Sequence, residues 1–581
     1  MIEIRSTGDA QGAPLMRNET VVTLPTPSRN SPTFFFGNRG TISALETLSG
    51  ASDLVLYCGA GVSIDQTSVT WTQLVKGVFR IAKATLGDDH RLKETKSVEY
   101  LLAHLGDDRQ AASILVEEFR DTNESENIFL GTKLKDVLYR KRGWQRGYIM
   151  RNLVQLSLAA ARHGRNVTII TTNYDVYIED EFVERRNKLI AAGLPADEAG
   201  GLSRRVLDGS ADSRVVEVVA AGSKATTVEI IYLHGRVDHV GGVEGDIVLT
   251  EQSYARSRER SSQILRDNFS GDKGVLIVGA SLTDEPLIHA LALTKSKNQK
   301  RFILLKAPEQ LSEPLKELKS HDTATVIDAV SVGSAWQLRA THLGVKHLSP
   351  MSHSQSAQFL EELRVCLTAA ELTKNVRHYG LPGSRIGYPQ RLAIWHASWS
   401  KKKNVRNANL AHKKLHETLT VIQVLLKEYA ASGETLRIEL WARRDPSSTN
   451  RRLTLWANST GPLLEESTMR TEAIDGATRN ASVRALLEGR PLLTRLSDMR
   501  YPVNASRWQT FLSVPIFVQV PTAVKGAVDS AYIPVGVVTL ASDKQLGSDV
   551  DPSVLSDSLP VDQFVALKQQ LIAMGREVLR M

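Results

Sequence analysis

Four short clusters of residues have the types and the order that chemistry would need. Gly59-Ala60-Gly61-Val62-Ser63 follows the apolar run DLVLYC (53–58) and precedes helix-forming sequence. A strand–glycine turn–helix junction brings backbone N–H groups close to an anion, and a helix N-terminus favours a pyrophosphate. Thr171-Thr172-Asn173-Tyr174-Asp175 ends a second run, NVTIITT (166–172). Two hydroxyls, an amide and a carboxylate at the tip of a buried strand are costly unless they bind something or cap the loop. His234-Gly235 ends a third run, TVEIIYL (227–233). Gly279-Ala280-Ser281-Leu282, followed by Asp284-Glu285-Pro286, ends a fourth, GVLIVG (274–279). Taken singly, each cluster is also what a packing turn, a hydrogen-bonded loop cap or a structural histidine looks like.

The runs that carry these clusters make the pattern informative. The four runs, with RFILL (301–305), are nearly continuous in apolar residues and alternate with helical stretches, as strands covered on both faces of a parallel sheet should. In such a sheet all four polar or glycine-bearing strand ends lie on the carboxyl edge. Open α/β sheets bind ligands there, at a topological switch point. The ligand implied is a dinucleotide, with one glycine turn for phosphate and others for ribose.

Composition frames this reading. The chain has 581 residues, 42% hydrophobic and 23% charged, with a formal net charge of +8. That balance belongs to a globular chain and excludes collagen-like, fibrous or disordered ones. The basic excess is spread out; Arg140-Lys141-Arg142 and Lys401-Lys402-Lys403 read as solvated faces, so nucleic acid is not an expected partner. Two cysteines, Cys58 and Cys366, exclude a disulfide framework and an all-cysteine zinc site. No run approaches the ~20 apolar residues that span a bilayer, and the start lacks a signal-peptide pattern. A cytoplasmic protein without a membrane partner is expected.

Residues 1–33 read as an N-terminal arm, 34–370 as the α/β unit, 371–404 as a Gly/Pro-bearing and then polar linker, and 405–581 as a second unit. Helices occupy much of 73–163, and 184–222 reads as an inserted helical or loop element. Past the linker come a long amphipathic helix (406–431), strands at 436–443 and 451–459, a helix at 479–489, strands near 491–496, 508–520 and 532–541, and a closing helix at 561–580. That order is an α+β pattern, an antiparallel sheet flanked by helices.

The succession GAGVS, TTNYD, LHG and VGASLTDEP resembles the silent-information-regulator-two (sirtuin-like) superfamily, and more closely the bacterial sirtuin-like proteins of anti-phage defence. The resemblance covers about residues 38–370. It implies a Rossmann-like parallel sheet with flanking helices and NAD as substrate. By motif, Gly59, Ala60, Gly61, Ser63 and Asp65 would serve the pyrophosphate, with Thr172 beside them. Gly279, Ser281 and Asp284 would line the adenosine ribose. Asn173 would orient a water or the nicotinamide ribose, Asp175 would support the nicotinamide pocket, and His234 would be the general base. The sequence departs from the family where Thr67 and Val69 replace a Gly and a Pro before Trp71. The zinc ribbon of sirtuin deacetylases cannot be built from two cysteines, so no metal is expected. The stretch from Asp175 to His234 is longer than in deacetylases, which implies an insertion that caps or borders the site.

Residues 405–581 are similar to GAF domains, on WQTFLSVPIFVQV (508–520) with Pro515 and YIPVGVVTLASD (532–543) with Gly536 and Val537. GAF domains bind small molecules or dimerise. The combined resemblance implies an NAD glycohydrolase of bacterial anti-phage (abortive-infection) defence, gated by the second unit and acting as a homo-oligomer. A small nucleotide signal or a phage protein would be the activator. The alternatives are a non-enzymatic NAD or ADP-ribose sensor that signals by assembly and, with less support, an NAD-dependent protein deacylase.

Overall fold

A computed structural model of the chain describes residues 32–580, except 68, 86–107, 120–124, 140–145, 209–214, 224, 296–299, 307–334, 351, 374–386, 402–404, 431–432, 445–451, 461–468, 475–477, 479, 498–506, 521–530, 546–551 and 557–558. The expected arm 1–33 lies outside the described residues up to residue 31, and a short helix, Pro32–Gly37, opens the described residues.

The first sheet has eight strands: β1 (Asp53–Cys58), β2 (Asn166–Thr171), β3 (Gly201–Val206), β4 (Val215–Val219), β5 (Thr227–Tyr232), β8 (Gly274–Val278), β9 (Arg301–Leu304) and β10 (Lys346–Leu348), with a small β6 (Arg236–Val237) and β7 (Val243–Glu244) ribbon beside it. Its order is β10-β9-β8-β1-β2-β5-β3-β4. All neighbours pair parallel except β3 with β4. The continuous apolar runs are the central strands because both faces are covered. In β1, Leu54, Leu56 and Cys58 join one buried cluster while Val55 and Tyr57 join another on the opposite face. The chain leaves β1 towards β2 and β5, then returns to lay β8 on the other side of β1. The switch point is therefore the crevice between β1 and β8, whose ends carry Gly59 and Gly279.

Two sequence expectations change here. The 184–222 segment, expected as an inserted helical or loop element, is not only that. It supplies most of helix Tyr177–Ala191 and then β3 and β4, which extend the far edge of the sheet. The stretch expected as a linker, 371–404, contains helix Tyr388–Lys401. That helix is core: Trp395 is fully buried with its indole N–H donating to the Leu579 carbonyl, and Trp399 stands edge-to-face with Trp456 at 5.1 Å. Arg391 makes a fully buried ion pair with Glu362 of helix His353–Thr373. Residues 374–386 lie outside the described residues.

The second sheet is antiparallel: β11 (Leu436–Arg444), β12 (Arg452–Asn458), β13 (Thr471–Ala473), β14 (Leu492–Arg495), β15 (Thr510–Val520) and β16 (Ala531–Ser542), in the order β13-β12-β11-β16-β15-β14. Helices Val405–Leu425, Ala481–Glu488 and Val561–Leu579 pack on it. One continuous apolar cluster runs from Phe36 and Leu153 in the first half to Leu440 and Val538 in the second, so the two sheets share a core. Tyr148 stacks on Phe517 across the junction at 3.7 Å between ring centroids.

Candidate functional site

The β1 and β8 turns are packed so closely that side chains are excluded. A Cβ on Gly59 would stand 2.6 Å from the Gly279 carbonyl oxygen, and one on Gly61 would stand 2.7 Å from Gly279 Cα. Gly279 has φ +66, a conformation glycine adopts without strain. The Gly59 N–H donates to the Val278 carbonyl and the Gly61 N–H to the Gly279 carbonyl. The glycines thus lock two strand ends together, and the helix-forming sequence after them is divided. A three-residue turn (Ala60–Val62) and a four-residue helix (Ile64–Thr67) come first, and the full helix begins at Trp71.

Above this junction lies a cavity of about 580 Å³. Gly59, Ala60, Ser63, Thr172, Asn173, Asp175, His234, Gly279, Ser281 and Asp284 all line it, so residues from four strand ends meet as the sheet topology requires. Gly61 lies beneath the lining. Asp65 is a correction. Its carboxylate does not line the cavity but turns to Arg490 of the second half, 3.4 Å away, and against Gly147 at the start of helix Tyr148–Arg162. Burial pushes Asp65 up to about 7 despite the Arg490 charge beside it.

A chain of side chains crosses the cavity floor. The Asn173 amide donates to Ser63 Oγ at 3.0 Å, and the Ser63 hydroxyl bonds the Asp175 carboxylate. Asp175 also accepts from the Tyr177 N–H at 3.2 Å. Burial raises Asp175 to about 6, with these bonds opposing the rise. The Asn173 backbone is fixed by its N–H donating to Thr171 Oγ1 at 3.0 Å.

His234 is 2% exposed, and its Nε2 is buried with no hydrogen-bond partner in the protein. Burial holds it below the usual histidine range, so the ring is neutral at neutral pH. A buried, unsatisfied ring nitrogen on a cavity wall is costly unless a ligand or water completes it. Tyr254 stands edge-on to the ring at 5.3 Å. Asp284 caps helix Glu285–Leu293 by accepting from the Leu287 N–H, and it also accepts the Tyr57 hydroxyl at 3.0 Å.

Arg109 and Tyr254 line the cavity without any readable sequence signal, and Tyr57, Tyr174 and Glu285, which sit within the motifs but were not proposed as site residues, line it too. Arg109 lies over the Tyr254 ring at 5.3 Å and 3.8 Å from Glu285. It arrives on helix Asp108–Phe119, part of a helical layer with Trp71–Thr85 and Glu126–Leu138 that packs on Tyr174 and roofs the strand ends. The departing loop residues Thr67 and Val69 line the cavity, and Trp71 stacks on Tyr174 at 6.3 Å. None of the described residues of 184–222 lines it.

No group of three or more metal-ligating residues occurs among the described residues. No helix among them is long and apolar enough to cross a membrane. No curated protein matches the chain. The family described as SIR2-like domain matches residues 167–326, which takes in the TTNYD, HG and VGASLTDEP strand ends, while β1 and its glycine turn join them through pairing with β2 and β8. Residues 167–326 are thus similar to the SIR2-like domain, a kind generally found in NAD-dependent enzymes, and the parallel-dominated, helix-flanked sheet fits a Rossmann-like fold.

Proposed function

We propose that the cavity takes NAD as substrate and that the protein is an NAD glycohydrolase, releasing nicotinamide and ADP-ribose. The observation that carries this reading is the neutral, buried His234 with an unpartnered Nε2 in a switch-point cavity that also holds the Asn173–Ser63–Asp175 chain. Cleavage of the nicotinamide–ribose bond passes through an oxocarbenium-like centre, as other glycoside cleavages do. The leaving group departs neutral from a cation, so no general acid is needed. His234 accepts the proton of the attacking water through Nε2, and burial keeps it free to do so. Asn173, which donates its amide N–H to Ser63, has its carbonyl oxygen left to hold the water. Asp175 orients Ser63, and Ser63 orients Asn173. Gly59, Ala60, Gly279 and Ser281 border the place for the pyrophosphate and ribose, while Gly61 supports the turn.

The six-stranded antiparallel sheet flanked by helices supports a GAF-like second half that gates the enzyme, with assembly and an activating signal as its means of control. A role in bacterial anti-phage defence follows from the family resemblance. A second reading, a non-catalytic NAD or ADP-ribose sensor, draws on Thr67 and Val69, which replace the family's Gly and Pro and line the cavity. The deciding experiment incubates purified protein with NAD at several protein concentrations and follows nicotinamide by chromatography. Turnover that falls at least about 100-fold in His234→Ala supports the hydrolase. Turnover that survives in His234→Ala refutes this mechanism, and NAD binding with no nicotinamide release at any concentration favours the sensor.

A further inference from the structure

A second cavity, of about 260 Å³, lies at the junction of the two halves and shares no residue with the first. Helix Tyr148–Arg162 presents Arg151, Gln155 and Arg162 along one face, at the four- and seven-residue spacings of a helical stripe. Helix Tyr177–Ala191 adds Arg185 and Lys188, helix His353–Thr373 adds Arg364, and the β15–β16 pair adds Gln519 and Tyr532. Five cations line the cavity and no carboxylate does.

Three of these cations pair with carboxylates outside this lining, two of which, Glu181 and Glu184, line an adjoining cavity that shares Arg151 and Arg185. Glu181 bonds Arg185, Glu184 bonds Lys188, and Glu361 holds Arg364 through two bonds of 2.9 Å. Glu361 also accepts the Tyr532 N–H at 3.1 Å, so the orientation of Arg364 is set from both halves. Arg151 is placed by aromatic rings. Its guanidinium lies over Tyr148 at 5.1 Å and Tyr532 at 4.8 Å, and its buried Nε has no hydrogen-bond partner. Arg576 approaches the Tyr532 ring at 5.9 Å. Carboxylates offset three of these charges, Arg151 brings a further guanidinium whose buried Nε is unpartnered, and planar guanidinium groups match phosphate oxygens two at a time.

We propose that this cavity binds a small phosphate-bearing metabolite with at least two negative charges, held by Arg151, Arg162, Arg185, Lys188 and Arg364. Less than half the volume of the first cavity, it suits a phosphate cluster and its immediate scaffold rather than a whole dinucleotide. Its walls come from both halves, so the bound anion clamps them together.

Isothermal titration calorimetry of the full chain with inorganic tripolyphosphate tests this. Saturable binding should weaken about tenfold or more in Arg151→Gln and in the double variant Arg162→Glu/Lys188→Glu, and should weaken with added salt. It should persist in Ser281→Ala, which alters only the first cavity. Lys188 is largely exposed, so the double variant keeps the test sound if Arg151→Gln fails to fold. No saturable binding to the wild type overturns the proposal. So does unchanged affinity in the folded cation variants, or loss confined to Ser281→Ala.

Discussion

Replacing Asp65 by Asn removes a carboxylate that folding buries between the glycine turn and Arg490. The side chain is 4% exposed, and burial lifts its pKa from 3.8 to about 7 although Arg490 pulls the other way. In the unfolded chain the group ionises near 3.8, in the folded chain near 7, so between these values the folded state holds a proton the unfolded state releases. Stability from this group is fully present below pH 3.8 and is lost as pH rises through 7. The gap corresponds to about 4 kcal/mol at alkaline pH, of which about 2 to 3 kcal/mol is lost between pH 5 and pH 8. Asn cannot ionise, and it keeps the shape against Gly147. Urea unfolding of the wild type and Asp65→Asn at pH 5 and pH 8 reads the effect. The variant should gain on the wild type by about 2 to 3 kcal/mol more at pH 8 than at pH 5. An equal difference at both values would show that Asp65 is solvated or ionised in the fold, and an Asp65→Asn protein weaker at pH 8 would show that the Arg490 pair outweighs burial.

NAD turnover should be level from pH 7 upward and fall only on the acid side, below the ordinary histidine value of 6.5, because burial depresses His234 and a base works unprotonated. Protonation of Asp175 near 6 adds to the same limb; a turnover that instead rises between pH 7 and 9 would exclude His234 as the base. Trp395→Ala should cost about 3–5 kcal/mol in urea unfolding, since it empties a fully buried site and leaves the Leu579 carbonyl without its donor. A loss under about 1 kcal/mol would mean that helix Tyr388–Lys401 is peripheral.

The central strands were legible because their signal is local. DLVLYC, NVTIIT, TVEIIY and GVLIV are nearly continuous in apolar residues, as strands covered on both faces are. Their order of polar and glycine ends then implied one carboxyl edge, and ten of the twelve proposed site residues line one cavity there. The edge strand β4 was missed because VVEVV is partly exposed and sits in charged, glycine-rich sequence. Helix Tyr388–Lys401 was missed because the Gly and Pro before it suggested a break, while the partner that buries Arg391 is Glu362, on another helix.

The chemistry available at the strand ends and the sheet type that gathers it were written along the chain, since residue type and periodicity are properties of sequence neighbours. Tertiary structure alone decided how those residues are used. Burial sets the neutrality of His234, and burial requires elements from distant segments. Arg109 and Tyr254 reach the cavity, Asp65 leaves it for Arg490, and five cations meet at the junction of the halves, because desolvation and charge pairing depend on distance through space, which no local spacing records.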